Sequence, residues 1–122
     1  MAKKPVTNPT RALALQPESG SVNLMTTEEL AHSARHDDSP PAELDAISRA
    51  LWWARNGQWE AAHDLCQEIP GPFGAWIHAW LHREEGDYGN ACYWYARANR
   101  PAPAVDASLE HEWFTLAEAR EP

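Results

Sequence analysis

The sequence predicts an all-α protein: two stacked antiparallel helical hairpins closed by a C-terminal helix. Three observations carry this. Apolar residues recur at helical spacing through residues 23–122, and no segment shows the two-residue alternation of a strand. Gly57, "IPGPFG" and Gly86 cut the helical stretches into short pieces. A shift of 29 residues, from Gly57 to Gly86, lays one pair of pieces on the next.

Residues 1–22 hold Pro5, Pro9, Pro17 and Gly20 among small polar residues, with no sustained period. They are expected to form a mobile tail, leaving 23–122 as a single helical domain. Order is expected to begin at "NLMTTEELAHSAR". Thr26 and Glu29 have the spacing of a capping box, and Met25 with Leu30 that of a hydrophobic staple. Ser39 then offers an N-cap with Pro40 at the first helical position. This predicts a helix over 40–56 with Leu44, Ile47, Leu51 and Ala54 on one stripe.

Gly57 ends that helix, and a partner over 58–68 aligns Trp59, Ala62, His63 and Cys66. The next pair is a helix over 73–85, bearing Phe73, Trp76, Ile77, Trp80 and Leu81, and one over 88–99. Asp87 is placed to cap the second of them. "RPAPAVD" is a linker, and Asp106 is expected to cap a final helix bearing Leu109, Trp113, Leu116 and Ala117.

Composition narrows the functions. The chain is 122 residues long, 43% hydrophobic and 23% charged, so one modest core is possible. Its formal charge of −8 argues against nucleic acid and against an anionic membrane surface, both of which need clustered Lys and Arg. No apolar run is long enough to span a bilayer. The start, "MAKKPVTNPTRALALQPESG", has only "ALAL" as an apolar region, too short for a secretory signal. Two cysteines, Cys66 and Cys92, make no disulfide framework. The expectation is a cytoplasmic protein with free thiols.

The internal repeat has a physical logic. Ala50 falls on Ala79, Gly57 on Gly86, Trp59 on Tyr88, Ala62 on Ala91 and Cys66 on Tyr95. The small residue lets two helices approach, and the glycine ends the first of them in a left-handed conformation. The aromatic fills the elbow, and the alanine with its partner four residues on packs back. The pattern resembles the tetratricopeptide repeat, a helix-turn-helix unit that stacks into solenoids. In the second unit Ala79, Gly86, Tyr88, Ala91, Tyr95, Ala98 and Pro103 carry the likeness. In the first it rests on Ala50, Trp53, Gly57, Trp59 and Ala62. It covers residues 43–103 and departs from the family in its 29-residue spacing and in having two units. The block "AWIHAWLHREEGDYGNACYWYARANRP" also resembles small uncharacterised bacterial proteins, a likeness that implies no activity.

Two histidines, His78 and His82, lie four apart on one helical face, as metal ligands do. A zinc-peptidase helix needs a glutamate after the first histidine, and Ala79 stands there. A plain metal site would need His63, Cys66 or Cys92 to converge from neighbouring helices. In the repeat register, however, His82 takes the place of Trp53, a helix-packing position. Glu84, Glu85 and Asp87 read as a solvated helix end, and no phosphate-binding glycine loop is present.

Seven tryptophans, all between Trp52 and Trp113, exceed what a two-hairpin core absorbs. The family resemblance implies that the first helix of each unit lines a concave face. Leu51, Arg55, Phe73, Trp76, Trp80, Arg83 and Glu84 are the residues expected there. An apolar floor with a charged rim suits a peptide, a partner helix or a second copy of the chain; the other reading is that Trp76 and Trp80 pack under the chain's own terminal helices. The leading expectation is therefore a non-catalytic protein-interaction module without a cofactor. The alternative is a small metal-binding protein using His78 and His82 with His63 or Cys92. A pocket of Tyr88, Tyr95, Arg97 and His82 is the residual enzymatic reading.

Overall fold

The computed structural model describes residues 25–122. The expected N-terminal tail of residues 1–22 lies outside them. Among the described residues there are six helices and no strand: α1 Thr27–His36, α2 Ala46–Asn56, α3 Trp59–Cys66, α4 Gly71–Glu84, α5 Tyr88–Arg97 and α6 Leu109–Ala119. The described part of the chain is all-α, as its periodicity predicts.

Local chemistry sets most of the boundaries. Thr26 and Glu29 form the complete capping box of α1, each side chain taking the other's backbone N–H at 3.1 and 2.9 Å. Gly57 and Gly86, 29 residues apart, close the elbows with φ of +93° and +92°. Asp87 caps α5 by accepting from the N–H of Asn90.

Three boundaries differ from expectation. The second helix starts at Ala46, not at 40, and its cap is Asp45, which accepts from the N–H of Ser48 at 2.8 Å. Pro41 disfavours the helical region for Pro40 before it, so the helix begins only after the pair is cleared. Leu44 is still buried, from the loop rather than from the helix. Helix α4 begins at Gly71, with Pro72 in its first turn. Ser108, not Asp106, caps α6 by accepting from the N–H of His111.

The 29-residue register is visible in the packing. Helices α2 and α3 form one hairpin, α4 and α5 the next, and α3 lies against α4. Ala50 and Ala79, Ala62 and Ala91, and Cys66 and Tyr95 are all buried at matching positions. Helix α1 packs on α2, and α6 crosses back over α4, α2 and α1. The indole N–H groups join these pieces. Trp52 donates to Ser33 Oγ, Trp59 to the Leu81 carbonyl and Trp113 to the Leu51 carbonyl. A buried indole N–H left without a partner costs a few kcal/mol, so each bond fixes an orientation as well as filling space.

Candidate metal centre

Helices α3 and α5 both pack on α4 but not on each other, so α4 floors a groove between them. His78 and His82 rise from that floor on one face, a helical turn apart, and both are buried. His63 comes from α3 because the αL turn at Gly57 folds that helix back antiparallel to α2 and onto α4. The three rings converge, with centroid separations of 4.5 Å for His63–His78, 4.9 Å for His78–His82 and 5.6 Å for His63–His82. One ligand-capable nitrogen from each lies within 4.8 Å of the other two. The closest pair is His63 Nε2 and His78 Nε2, at 2.9 Å.

The surroundings hold the imidazoles in place. Trp94 stacks on His78 at 3.8 Å and 9°, and Trp59 stacks on His63 at 4.6 Å and 12°. His82 donates from Nδ1 to Glu85 Oε2 at 2.7 Å, so that in the neutral ring Nε2 carries the lone pair. That Nε2 lies 3.5 Å from Asn90 Nδ2. Gln67 Nε2 lies 3.4 Å from His63 Nδ1, and turning the amide would offer Oε1 to an Nδ1–H instead. Burial first, and then the neighbouring His63 and His82, push the His78 imidazole down to about 4. At neutral pH it is the neutral base that a metal requires.

Metal–nitrogen bonds of 2.0–2.1 Å set ligand nitrogens about 3.3 Å apart. The observed separations, from 2.9 Å to within 4.8 Å, bracket that spacing. Three nitrogens on one ion would leave one position of a four-coordinate centre for a further ligand.

The sequence reading named His78 and His82 and offered His63 or Cys92 as the third member. The structure brings His63 to the pair, whereas Cys92 is not part of the cluster. Cys66, one turn from His63, gives its S–H to the His63 carbonyl, and burial followed by Asp64 pushes the thiol up to about 12. Without a metal it is a protonated thiol at neutral pH. Glu85, read from sequence as part of a solvated helix end, is exposed at the end of α4 as expected, and it also accepts from His82. Its spacing of three from His82 is the signal that would have found it.

The expected partner-binding face lies elsewhere. Leu51, Trp76, Trp80 and Arg83 are buried, Arg55 and Phe73 are half-buried, and Glu84 is exposed. Helix α6 of the same chain occupies this face. Trp80 donates to the Leu109 carbonyl, Trp76 to Glu112, and Arg55 lies over the rings of Trp113 and Phe114. Nor do Tyr88, Tyr95 and His82 form a pocket. Tyr88 donates to the Pro103 carbonyl and Tyr95 to Glu112, while His82 pairs with Glu85.

No protein family, curated protein or solved structure matches the chain. Among the described residues no helix is long and apolar enough to cross a membrane.

Proposed function

We propose that the protein binds a divalent transition-metal ion of the zinc type through His63, His78 and His82. The carrying observation is the convergence of three imidazoles from two helices, each with a nitrogen within 4.8 Å of the others. Imidazole-only donor sets suit Zn²⁺, Cu²⁺ and Ni²⁺ rather than Mg²⁺ or Ca²⁺, which take oxygen. The Glu85–His82 contact supplies the outer-shell carboxylate that such ligands commonly have. Three protein ligands leave a coordination position toward the groove, an arrangement that holds water or a small ligand on the ion.

The scaffold is read as two tetratricopeptide-like units, supported by the matched αL glycines and the matched buried alanines at a 29-residue offset. On that reading α6 sits where a partner helix would lie, so a partner at Trp76 and Trp80 would have to displace it. The metal reading needs no such displacement.

The test uses protein made without an affinity tag, stripped by chelator, given excess Zn²⁺ and desalted. One equivalent of zinc should remain on the wild type, and the His78→Gln/His82→Gln variant should retain less than a tenth of it. Equal retention by both proteins, or no retention by a folded wild type, would overturn the reading.

A further inference from the structure

Beside the histidine cluster, the groove opens into a cavity of about 470 Å³ between the α3–α4 turn and the end of α5. This is the size of a small-molecule site. Its walls are largely apolar, with Ile69, Ala75 and Trp94 among them, and Gln67, His78 and Arg97 supply polar groups. The rim at the turn is tightly built. A Cβ on Gly74 would lie 2.0 Å from the Ile69 carbonyl oxygen, so the turn is pressed against the first coils of α4.

Charge decides what the cavity suits. The protein as a whole carries a formal charge of −8, yet no carboxylate lines this space and its one charged side chain is Arg97. Among the described residues Arg97 forms no ion pair. Its guanidinium rests over the rings of Trp94 and Tyr93, at 5.5 and 5.7 Å from their centroids. Nη1 also donates to the Tyr93 hydroxyl at 3.4 Å, and such packing steadies the guanidinium plane while its other N–H groups stay available. A planar fork of that kind matches a carboxylate through two parallel hydrogen bonds. Helix α4 also presents its positive end here, with Pro70 as an N-cap that offers no side-chain acceptor.

We propose that this cavity binds a small monocarboxylate, with its carboxylate on the Arg97 guanidinium and its apolar body against Trp94, Ile69 and Ala75. The inference goes beyond the metal reading and does not depend on it, because none of these contacts involves an ion. His78 joins the two sites, with one face stacked on Trp94 and its Nε2 turned to His63.

The test is run on chelator-stripped, zinc-free protein, so that its outcome is separate from that of the metal experiment. Benzoate is titrated in, with benzamide as the uncharged isostere, and the Trp94 indole N–H is followed by NMR after assignment with Trp94→Phe. Benzoate should shift that resonance saturably and bind at least tenfold more tightly than benzamide. Arg97→Gln, at an exposed position where folding is not at risk, should weaken benzoate at least tenfold and leave benzamide unchanged. Absence of a saturable shift, equal affinity for the two compounds, or undiminished benzoate binding by Arg97→Gln would each overturn the proposal. Zinc retention that fails while benzoate binds would remove the metal reading alone.

Discussion

Arg83 on α4 and Glu112 on α6 meet at 3.0 Å, with their side chains 2% and 13% exposed. The same carboxylate accepts from Trp76 Nε1 at 3.0 Å and from the Tyr95 hydroxyl, so one acidic group of α6 gathers donors from α4 and α5. Arg83 also donates to the Ala107 carbonyl in the linker before α6. The closing helix is thus held by a buried polar hub as well as by Trp113 and Leu116.

Removing one partner of a buried pair leaves the other charge uncompensated. Glu112→Ala should therefore cost about 3–5 kcal/mol in urea unfolding. Glu110 provides the contrast, since it pairs with Arg35 and Arg55 from a side chain that is 59% exposed. Glu110→Ala should cost no more than about 1 kcal/mol. Similar losses for the two variants would show that the Glu112 hub does not anchor α6.

The two elbows should respond alike. Gly57 and Gly86 have φ near +90° and open space where a Cβ would project, so conformation rather than crowding is what an alanine would meet. Gly57→Ala and Gly86→Ala should each lower stability by about 1–2 kcal/mol. Asn at either place should cost less, because it tolerates the left-handed region. A neutral Gly86→Ala would contradict the elbow geometry.

How far these features are legible in the sequence depends on how local their causes are. Thr26, Gly57, Gly86 and Asp87 act on backbone within a few residues, and each does what its position predicts. Asp45 and Ser108 were obscured by rival caps at Ser39 and Asp106, and the choice falls to the proline pair and to where the following helix can pack. The aromatic face was legible as a surface that either a partner or the terminal helices must cover, but the sequence did not choose between them. Trp76 and Trp80 meet Glu112 and Leu109 across 36 and 29 residues, a pairing that no local pattern encodes. His78 and His82 share a face by spacing alone, whereas His63 joins them only once the hairpins stack.

Acid should loosen the junction of the two ends of the described chain. Glu121 accepts from both the backbone N–H and the hydroxyl of Thr27, in the first turn of α1, and these bonds hold its carboxyl below the usual carboxylate range. A group whose pKa is lowered by folding stabilises the fold above its unfolded pKa. That contribution disappears as the pH falls through the folded value. Wild type should therefore lose Tm faster than Glu121→Gln as the pH is taken from 6 to about 3. Parallel pH profiles would mean that the contact carries no linkage.

Glu85 and Glu84 are neighbours in sequence with different expected effects on metal binding. Glu85 accepts the Nδ1 proton of His82 at 2.7 Å, which in the neutral ring makes Nε2 the lone-pair nitrogen and sets the plane of the ring. Outer-shell carboxylates of this type change metal affinity by about 10–100-fold when removed. Glu85→Ala should weaken Zn²⁺ by that factor in competition with a chromophoric chelator. Glu85→Gln should recover part of the loss, since its amide oxygen can still accept from Nδ1. Glu84→Gln should leave affinity unchanged, because Glu84 belongs neither to the histidine cluster nor to the Glu85–His82 contact. If Glu84→Gln and Glu85→Gln reduced affinity equally, the loss would reflect negative charge near the groove. Only a loss confined to position 85, and partly restored by glutamine, identifies the hydrogen bond as the cause.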